Sequence, residues 1–321
     1  MTRTNAQIWL RLVATSLLLV WVVPSHLLRS WRSSRRLLAA YRETVTPILH
    51  ARIVPGPRRT EIEHRLAGWA VQGGYLVESY ARLAGVTGVD AVAVVAASFM
   101  RLYDDLLDER ADGAAIGNRL RRLFAGDEIA PESDVEAVVV DLYKWLAERA
   151  PTHHRDELYS YLDTVHQIQL EELEGGDTEA EYIVSRTARK GGAGMAILAG
   201  LANPHIEPDE FELLQRLGAL LQLIDDYDDA FEDGATTTSE STNVVSFASL
   251  ATRLHELSHE IRVFYGRRRG RSFVDGLYIW LLLVGLRRLL DRLHPQRLEQ
   301  DEKTAPRRLL RMLSERKAHI R

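Results

Sequence analysis

Two acidic strings in this sequence have spacings that can bring carboxylates together. The first is Tyr103-Asp104-Asp105-Leu106-Leu107-Asp108-Glu109-Arg110, which ends an apolar stretch containing Val92, Val95, Phe99 and Leu102. On a helix, Asp104 and Asp108 lie four apart and Asp105 and Asp108 three apart, so their side chains converge on one face. The second string runs from Gln222 to Asp233 and carries Asp225, Asp229 and Asp233 as an every-fourth-residue stripe, with Asp226 and Asp229 as an alternative pair. Carboxylates gathered at a helix C-terminus repel one another and oppose the helix dipole, a cost that a cation or a raised pKa must offset. Oxygen-only donors of this kind suit Mg²⁺, which takes one or two protein carboxylates and fills its shell with water and phosphate. One such string alone is explained equally well as a solvated acidic helix end, because aspartate is common on surfaces. Two of them, each following an apolar helix, predict two walls of one metal site.

A metal site that holds phosphate needs cations nearby. Ser185-Arg186-Thr187-Ala188-Arg189-Lys190-Gly191-Gly192 supplies Arg186, Arg189 and Lys190 between the two acidic strings. Arginine grips diphosphate through its planar fork and lysine acts as a point charge. Each of these cations alone is explained as well by an exposed helix turn. Gly191, Gly192 and Gly194 are expected to weaken the helix and let backbone approach a ligand.

These residues must be carried by helices, since apolar positions recur at three and four spacing and no segment alternates over a strand's length. The pattern predicts helices over Ile62 to Ala84, Val89 to Asp108, Val135 to Arg149, Arg155 to Glu174, Glu179 to Leu201, Asp209 to Phe231, Phe247 to Tyr265 and Ser272 to Leu293. Pro55-Gly56-Pro57, Gly175-Gly176-Asp177, Asn203-Pro204 and Asp233-Gly234 punctuate them. The expected fold is all-α, in one domain over residues 41–321 behind an N-terminal extension over 1–40.

That extension is where a membrane enters the argument. Leu12 to Val23 is almost unbroken apolar sequence, with Arg11 before it and Arg29, Arg32, Arg35 and Arg36 after it. The run is shorter than the ~20 residues a spanning helix needs, Pro24 is expected to interrupt it, and no small-residue cleavage site follows. Two placements remain: a helix lying in a membrane interface through residues 8–36, or an extra helix capping the domain. The run from Leu277 to Leu290 is more simply a buried wall helix, since Arg287, Arg288 and Asp291 argue against a crossing.

With 46% hydrophobic residues the chain can bury a large core, and a net charge of −4 shows no excess of cations for nucleic acid. The absence of cysteine excludes disulfides, thiolate metal sites and cysteine nucleophiles, and is compatible with the cytoplasm.

With both acidic strings and the intervening cations placed, the pattern resembles the isoprenoid synthase superfamily, and within it the large-terpene synthase family typified by tetraprenyl-β-curcumene synthase. The similarity runs through Asp105 to Arg110, the Asp225, Asp229, Asp233 stripe and Asn243-Val244-Val245-Ser246-Phe247, over about residues 45 to 290. The resemblance implies a helical bundle around a central active-site cavity, and a class I terpene synthase that ionises an all-trans prenyl diphosphate with Mg²⁺. Cyclisation or elimination would then give a terpene of sesterterpene to sesquarterpene size. It implies metal ligands among Asp104, Asp105, Asp108, Asp225, Asp226, Asp229, Asp233 and Asn243, with Ser246 a weaker candidate. Diphosphate contacts would come from Arg110, Arg186, Arg189, Lys190 and Arg262. Arg262 and Tyr265 resemble a late Arg-Tyr pair of terpene cyclases, which places Tyr265 beside Asp104, Asp105, Asp108 and Arg186 as catalytic. The same pair reads equally well as an amphipathic helix surface. Phe99, Tyr103, Tyr227 and Phe231 are candidates to face a carbocation, although aromatics at helical spacing are more often core.

Chain-elongation enzymes of this superfamily carry a Gly-Gly-Lys segment and a following Arg-Pro. Here the corresponding stretch reads Val71-Gln72-Gly73-Gly74-Tyr75, and Arg121-Arg122 stands far from the first acidic string. This favours a single prenyl diphosphate substrate. Chain elongation and head-to-head condensation stay as alternatives within the superfamily, and a non-catalytic partner subunit that binds prenyl diphosphate as the alternative outside it.

Overall fold

A computed structural model describes the backbone of residues 3–108, 113–173, 180–229 and 245–293, and within these the side chains of residues 26, 28–107, 113–173, 181–228 and 245–288. Among the described residues there are ten α-helices, one short 3-10 helix and no strand. The helices are α1 (Arg3–Arg52), α2 (Pro57–Ala84), α3 (Asp90–Asp108), α4 (Gly113–Phe124), α5 (Asp134–Ala147), α6 (Arg155–Leu173), α7 (Ala180–Ala202), α8 (Pro208–Asp229), α9 (Phe247–Phe264) and α10 (Arg267–Leu293).

Local chemistry sets several of the boundaries. Pro57 opens α2, where its missing N–H costs nothing, and Gly85 closes it in the left-handed region at φ 84°. Ser133 caps α5 by accepting from the Glu136 amide, and the Glu136 carboxylate reaches back to the Glu132 amide at 2.9 Å. Glu136 is buried, and Arg119 of α4 meets it with two guanidinium nitrogens at 2.9 and 3.1 Å.

One expectation about the N-terminus is corrected. Pro24 does not end the first helix: α1 is continuous from Arg3 to Arg52. A proline removes one backbone hydrogen bond and bends a helix, but it need not stop one. Ser33, Leu37, Tyr41, Val45 and Leu49 are all buried along one face of α1, against a core shared with α2, α3 and α5, so packing on the core begins some residues before 41. No described helix is long and apolar enough to cross a membrane.

The tightest pairing in the bundle is the α7 and α8 hairpin. A β-carbon on Gly191 would lie 2.5 Å from the Gly218 carbonyl oxygen and from Gln222 Cβ, and one on Gly192 would lie 2.9 Å from the Gln215 carbonyl oxygen. Gly191 and Gly192 therefore admit a neighbouring helix, where the sequence suggested a ligand.

The bundle has two chemically distinct ends. At one end α3 and α8 finish, α6 finishes and α7 begins. Gly113 at the start of α4 lies against the Leu107 carbonyl of α3 and near Leu173 of α6, and Glu172 of α6 pairs with Lys190 of α7. At the other end α2 finishes and α8 begins. There Tyr80 of α2 donates to Glu210 of α8 at 2.9 Å and receives a bond from Asn203 at 3.2 Å.

Candidate metal and diphosphate site

Met100 and Asp104 of α3 lie one turn apart, as do Gly194 and Lys190 of α7. A β-carbon on Gly194 would contact the Met100 methyl group at 3.9 Å. Because α3 ends where α7 begins, the two run in opposite senses here. One turn beyond the Met100 contact, helical spacing puts Asp104 at the level of the Lys190 turn. Asp104 is half-buried.

Asp105 is turned elsewhere. It is buried, and its two carboxylate oxygens are met by Arg65 of α2 at 2.9 Å and Arg101 at 2.6 Å, while the Arg101 guanidinium lies 4.8 Å from the Trp69 ring centre. Adjacent helical residues diverge by about 100°, and that angle separates the pair. Asp108 is the last described residue of α3, and its side chain lies outside the described residues.

On α8, Asp226 accepts from Gln222 Nε2 at 3.0 Å and from the Thr187 hydroxyl of α7, with Lys190 and Glu172 close enough to be felt electrostatically. Asp226 keeps a solvent-exposed face but is crowded by protein on its other side. The lost water pushes its carboxyl upward from its ordinary value, against the pull of Gln222, Thr187 and Lys190. Asp225 is also exposed. Asp229 is the last described residue of α8 and its side chain lies outside the described residues; Arg110, Phe231, Asp233 and Asn243 lie outside them altogether. Ser246 caps α9 by accepting from the Ser249 amide at 3.1 Å.

The cations of α7 divide. Lys190 donates to Glu172 at 2.9 Å, and Arg186 approaches the same carboxylate at 3.5 Å with its guanidinium 5.8 Å from the Tyr182 ring. Arg189, between them in sequence, is exposed. Glu172 was missed in the sequence because a single glutamate near the end of a polar helix carries no motif. Two further cations reach this end: Arg287 of α10 donates to Asp228 at 3.2 Å, and Arg288 lies 3.9 Å over the Tyr227 ring. They bring α10 to the acidic end of α8, and Phe247 seats against Gly285 and Tyr227.

Tyr265 and Arg262 do not join this end. The Tyr265 hydroxyl donates to Glu210 at 2.7 Å, and burial pushes the phenol well above its ordinary pKa, helped by the Glu210 charge. Glu210 opens α8 and Asp226 nears its end, roughly 24 Å away at about 1.5 Å per residue. Arg262 is on the last turn of α9, beside Tyr265. Phe99 and Tyr103 belong to a packed aromatic cluster with Phe124, Tyr143 and His166. The Tyr103 hydroxyl and His166 Nδ1 are 2.7 Å apart, and His166 Nε2 lies 3.0 Å from the Gly117 carbonyl oxygen. A carbonyl only accepts, so Nε2 carries the proton, and in the neutral ring Nδ1 accepts from Tyr103.

The donor chemistry fits a hard divalent cation. Asp104 and Asp226 are oxygen donors on helices that run towards the same end of the bundle, and Asp226 keeps an exposed side beside Lys190. Among the described residues no group of three or more His, Asp or Glu converges on a single point, whereas Mg²⁺ commonly takes only one or two protein carboxylates. In comparisons with protein-family models, curated proteins and solved structures, the chain finds no match.

Proposed function

We propose that this chain is a Mg²⁺-dependent class I terpene synthase, which ionises an all-trans prenyl diphosphate and cyclises it or eliminates a proton from it. What supports this reading is that the acidic stretches of α3 and α8 lie towards the same end of an all-helical bundle, with the Arg186 and Lys190 turn of α7 beside the α8 one.

In this reading Asp104 and Asp226 hold Mg²⁺, with Asp108, Asp225 and Asp229 contributed by the same helix ends and Asp233 and Asn243 by the segment after α8. The bound metal supplies Lewis-acid charge to the diphosphate oxygens. Lys190 and Arg186 take up the negative charge that grows on the departing diphosphate, which is stabilisation by fixed charges already in place. Arg189 and Arg110 are further diphosphate contacts. Glu172 holds Lys190 and Arg186 together before substrate arrives, and Thr187 and Gln222 orient the Asp226 carboxylate. Asp105, engaged by two arginines, fixes the angle of α3 against α2 and leaves metal binding to Asp104. Tyr265 and Arg262 have no part at this centre.

The test is to incubate the purified chain with Mg²⁺ and geranyl, farnesyl, geranylgeranyl and longer prenyl diphosphates one at a time, with and without isopentenyl diphosphate, and to analyse extracts by mass spectrometry. A metal-dependent hydrocarbon or alcohol from a single prenyl diphosphate supports the reading. A longer diphosphate formed only with isopentenyl diphosphate replaces it with chain elongation, and no turnover of any substrate removes it in favour of a binding subunit.

A further inference from the structure

Remote from the acidic end, the surface carries large apolar side chains interleaved with arginines. On α1, Leu28 and Trp31 are 49% and 53% exposed. Arg32 and Arg35 beside them are exposed, with the Arg35 guanidinium 5.0 Å from the Trp31 ring centre. Positions 28, 31, 32 and 35 form one helical stripe. At the turn between α9 and α10, Val263 and Phe264 are 70% and 44% exposed, and Arg267 and Arg268 follow them, also exposed.

These two groups lie at the same end of the bundle. Arg29 of α1 donates to Ser272 of α10 at 2.8 Å, Ser33 of α1 accepts from Arg82 of α2 at 3.5 Å, and Gly85, which ends α2, lies against the Arg269 guanidinium. Four carboxylates near it are engaged, Asp275 by Arg271 at 3.7 Å, Glu260 by Arg216 at 2.6 Å, and Glu78 and Asp90 by Arg36, while Glu207 and Asp209 stand exposed at the start of α8 beside it. The face is therefore cationic and apolar at once.

We propose that this face docks on an anionic membrane surface, with Trp31, Leu28, Val263 and Phe264 entering the interfacial layer and Arg32, Arg35, Arg267 and Arg268 meeting lipid phosphates. Aromatic and aliphatic side chains beside arginines match a bilayer interface, in which a ring sits at headgroup level and a guanidinium reaches phosphate. The same helix α1 carries the apolar run Leu12 to Val23, which extends this character along the chain. Docking here also keeps the acidic helix ends away from the negative lipid surface, since the face adjoins the beginning of α8 and the metal site its end.

The experiment is co-sedimentation of the full chain with vesicles of phosphatidylcholine alone and of equal parts phosphatidylcholine and phosphatidylserine, across a salt series. The expected result is at least about tenfold stronger partitioning into the anionic vesicles, weakening as salt rises. The quadruple variant Arg32→Glu, Arg35→Glu, Arg267→Glu, Arg268→Glu is expected to lose about tenfold or more with an unchanged melting temperature. Should that variant fold poorly, Arg267→Gln with Arg268→Gln is expected to lose a smaller fraction in the same direction. Val263→Ser with Phe264→Ser should weaken binding several-fold at every salt concentration. Equal binding to both vesicle types, no binding to either, variants that bind as the parent does, or pelleting without vesicles would overturn the proposal.

Discussion

Lys190 of α7 donates to Glu172 of α6 at 2.9 Å, and Arg186 reaches the same carboxylate, so the cations proposed to receive diphosphate are already held by an anion of the protein itself. A diphosphate entering this turn competes with Glu172 for both. Glu172→Gln should therefore tighten inorganic diphosphate binding by about threefold to tenfold in the presence of Mg²⁺, as read by calorimetry. Arg186→Ala with Lys190→Ala should weaken it by about tenfold or more. A Glu172→Gln variant that binds more weakly would mean that Glu172 supports the ligand and does not compete with it.

The neighbours Asp104 and Asp105 are predicted to separate. By helical spacing Asp104 lies at the level of the α7 turn, whereas both oxygens of Asp105 are met by Arg65 and Arg101. Asp104→Asn should lower turnover by about a hundredfold or more, a larger loss of turnover than of stability. Asp105→Ala should cost about 1–3 kcal/mol in denaturant unfolding, since it strands two charged hydrogen-bond donors that are themselves partly exposed. Equal losses of stability from both changes would contradict this division.

Tyr265 provides a third contrast. Its hydroxyl bonds to Glu210, at the opposite end of α8 from Asp226. Tyr265→Phe should leave kcat within about twofold of the parent and cost about 1 kcal/mol of stability, because Glu210 keeps its bond from Tyr80. A large fall in kcat at unchanged stability would return Tyr265 to the active site.

The helices were legible because burial and periodicity coincide in them: α3 and α9 were located from apolar spacing to within a residue or two. The helix α4 was not foreseen. Its buried positions Ile116, Leu120 and Leu123 lie among Arg119, Arg121 and Arg122 in a short segment, which weakens the periodic signal. At the site, residue types were readable and directions were not. Asp104 and Asp105 are adjacent in sequence and diverge in space, and only the position of Arg65 on α2 shows which way Asp105 turns. Gly191 and Gly192 were recognised as points of close approach, but whether a ligand or a helix approaches depends on Gly218 far along the chain. Arg262 and Tyr265 matched a pattern by order alone, and order does not reveal which end of α8 a residue meets.

His166 yields a pH prediction. Burial lowers its pKa from the ordinary 6.5, reinforced by Arg121, while its bond to the Gly117 carbonyl and the Asp163 charge oppose that shift. The unfolded chain then takes up a proton more readily than the folded one, so stability is complete above about pH 6.5 and falls as pH drops towards the depressed folded value. His26 is also lowered, mainly by burial, and contributes with the same sign, whereas Asp226 and Asp275 are raised by burial and act with the opposite sign from about pH 3.8 upward. The readout is therefore the difference between parent and His166→Gln in denaturant unfolding at pH 8, 7, 6 and 5. The gap between them should narrow as pH falls, and a constant gap would contradict a buried neutral His166.

The most direct test of the central claim is the rate of diphosphate release from prenyl diphosphates, with Mg²⁺ and after its removal by chelation, in the parent chain and in Asp104→Asn and Asp226→Asn variants of unchanged melting temperature. The account predicts release by the parent that stops on chelation and resumes when Mg²⁺ is restored, and a fall of about a hundredfold or more in each variant. Release that is indifferent to Mg²⁺, or that persists when both Asp104 and Asp226 are replaced, would contradict it.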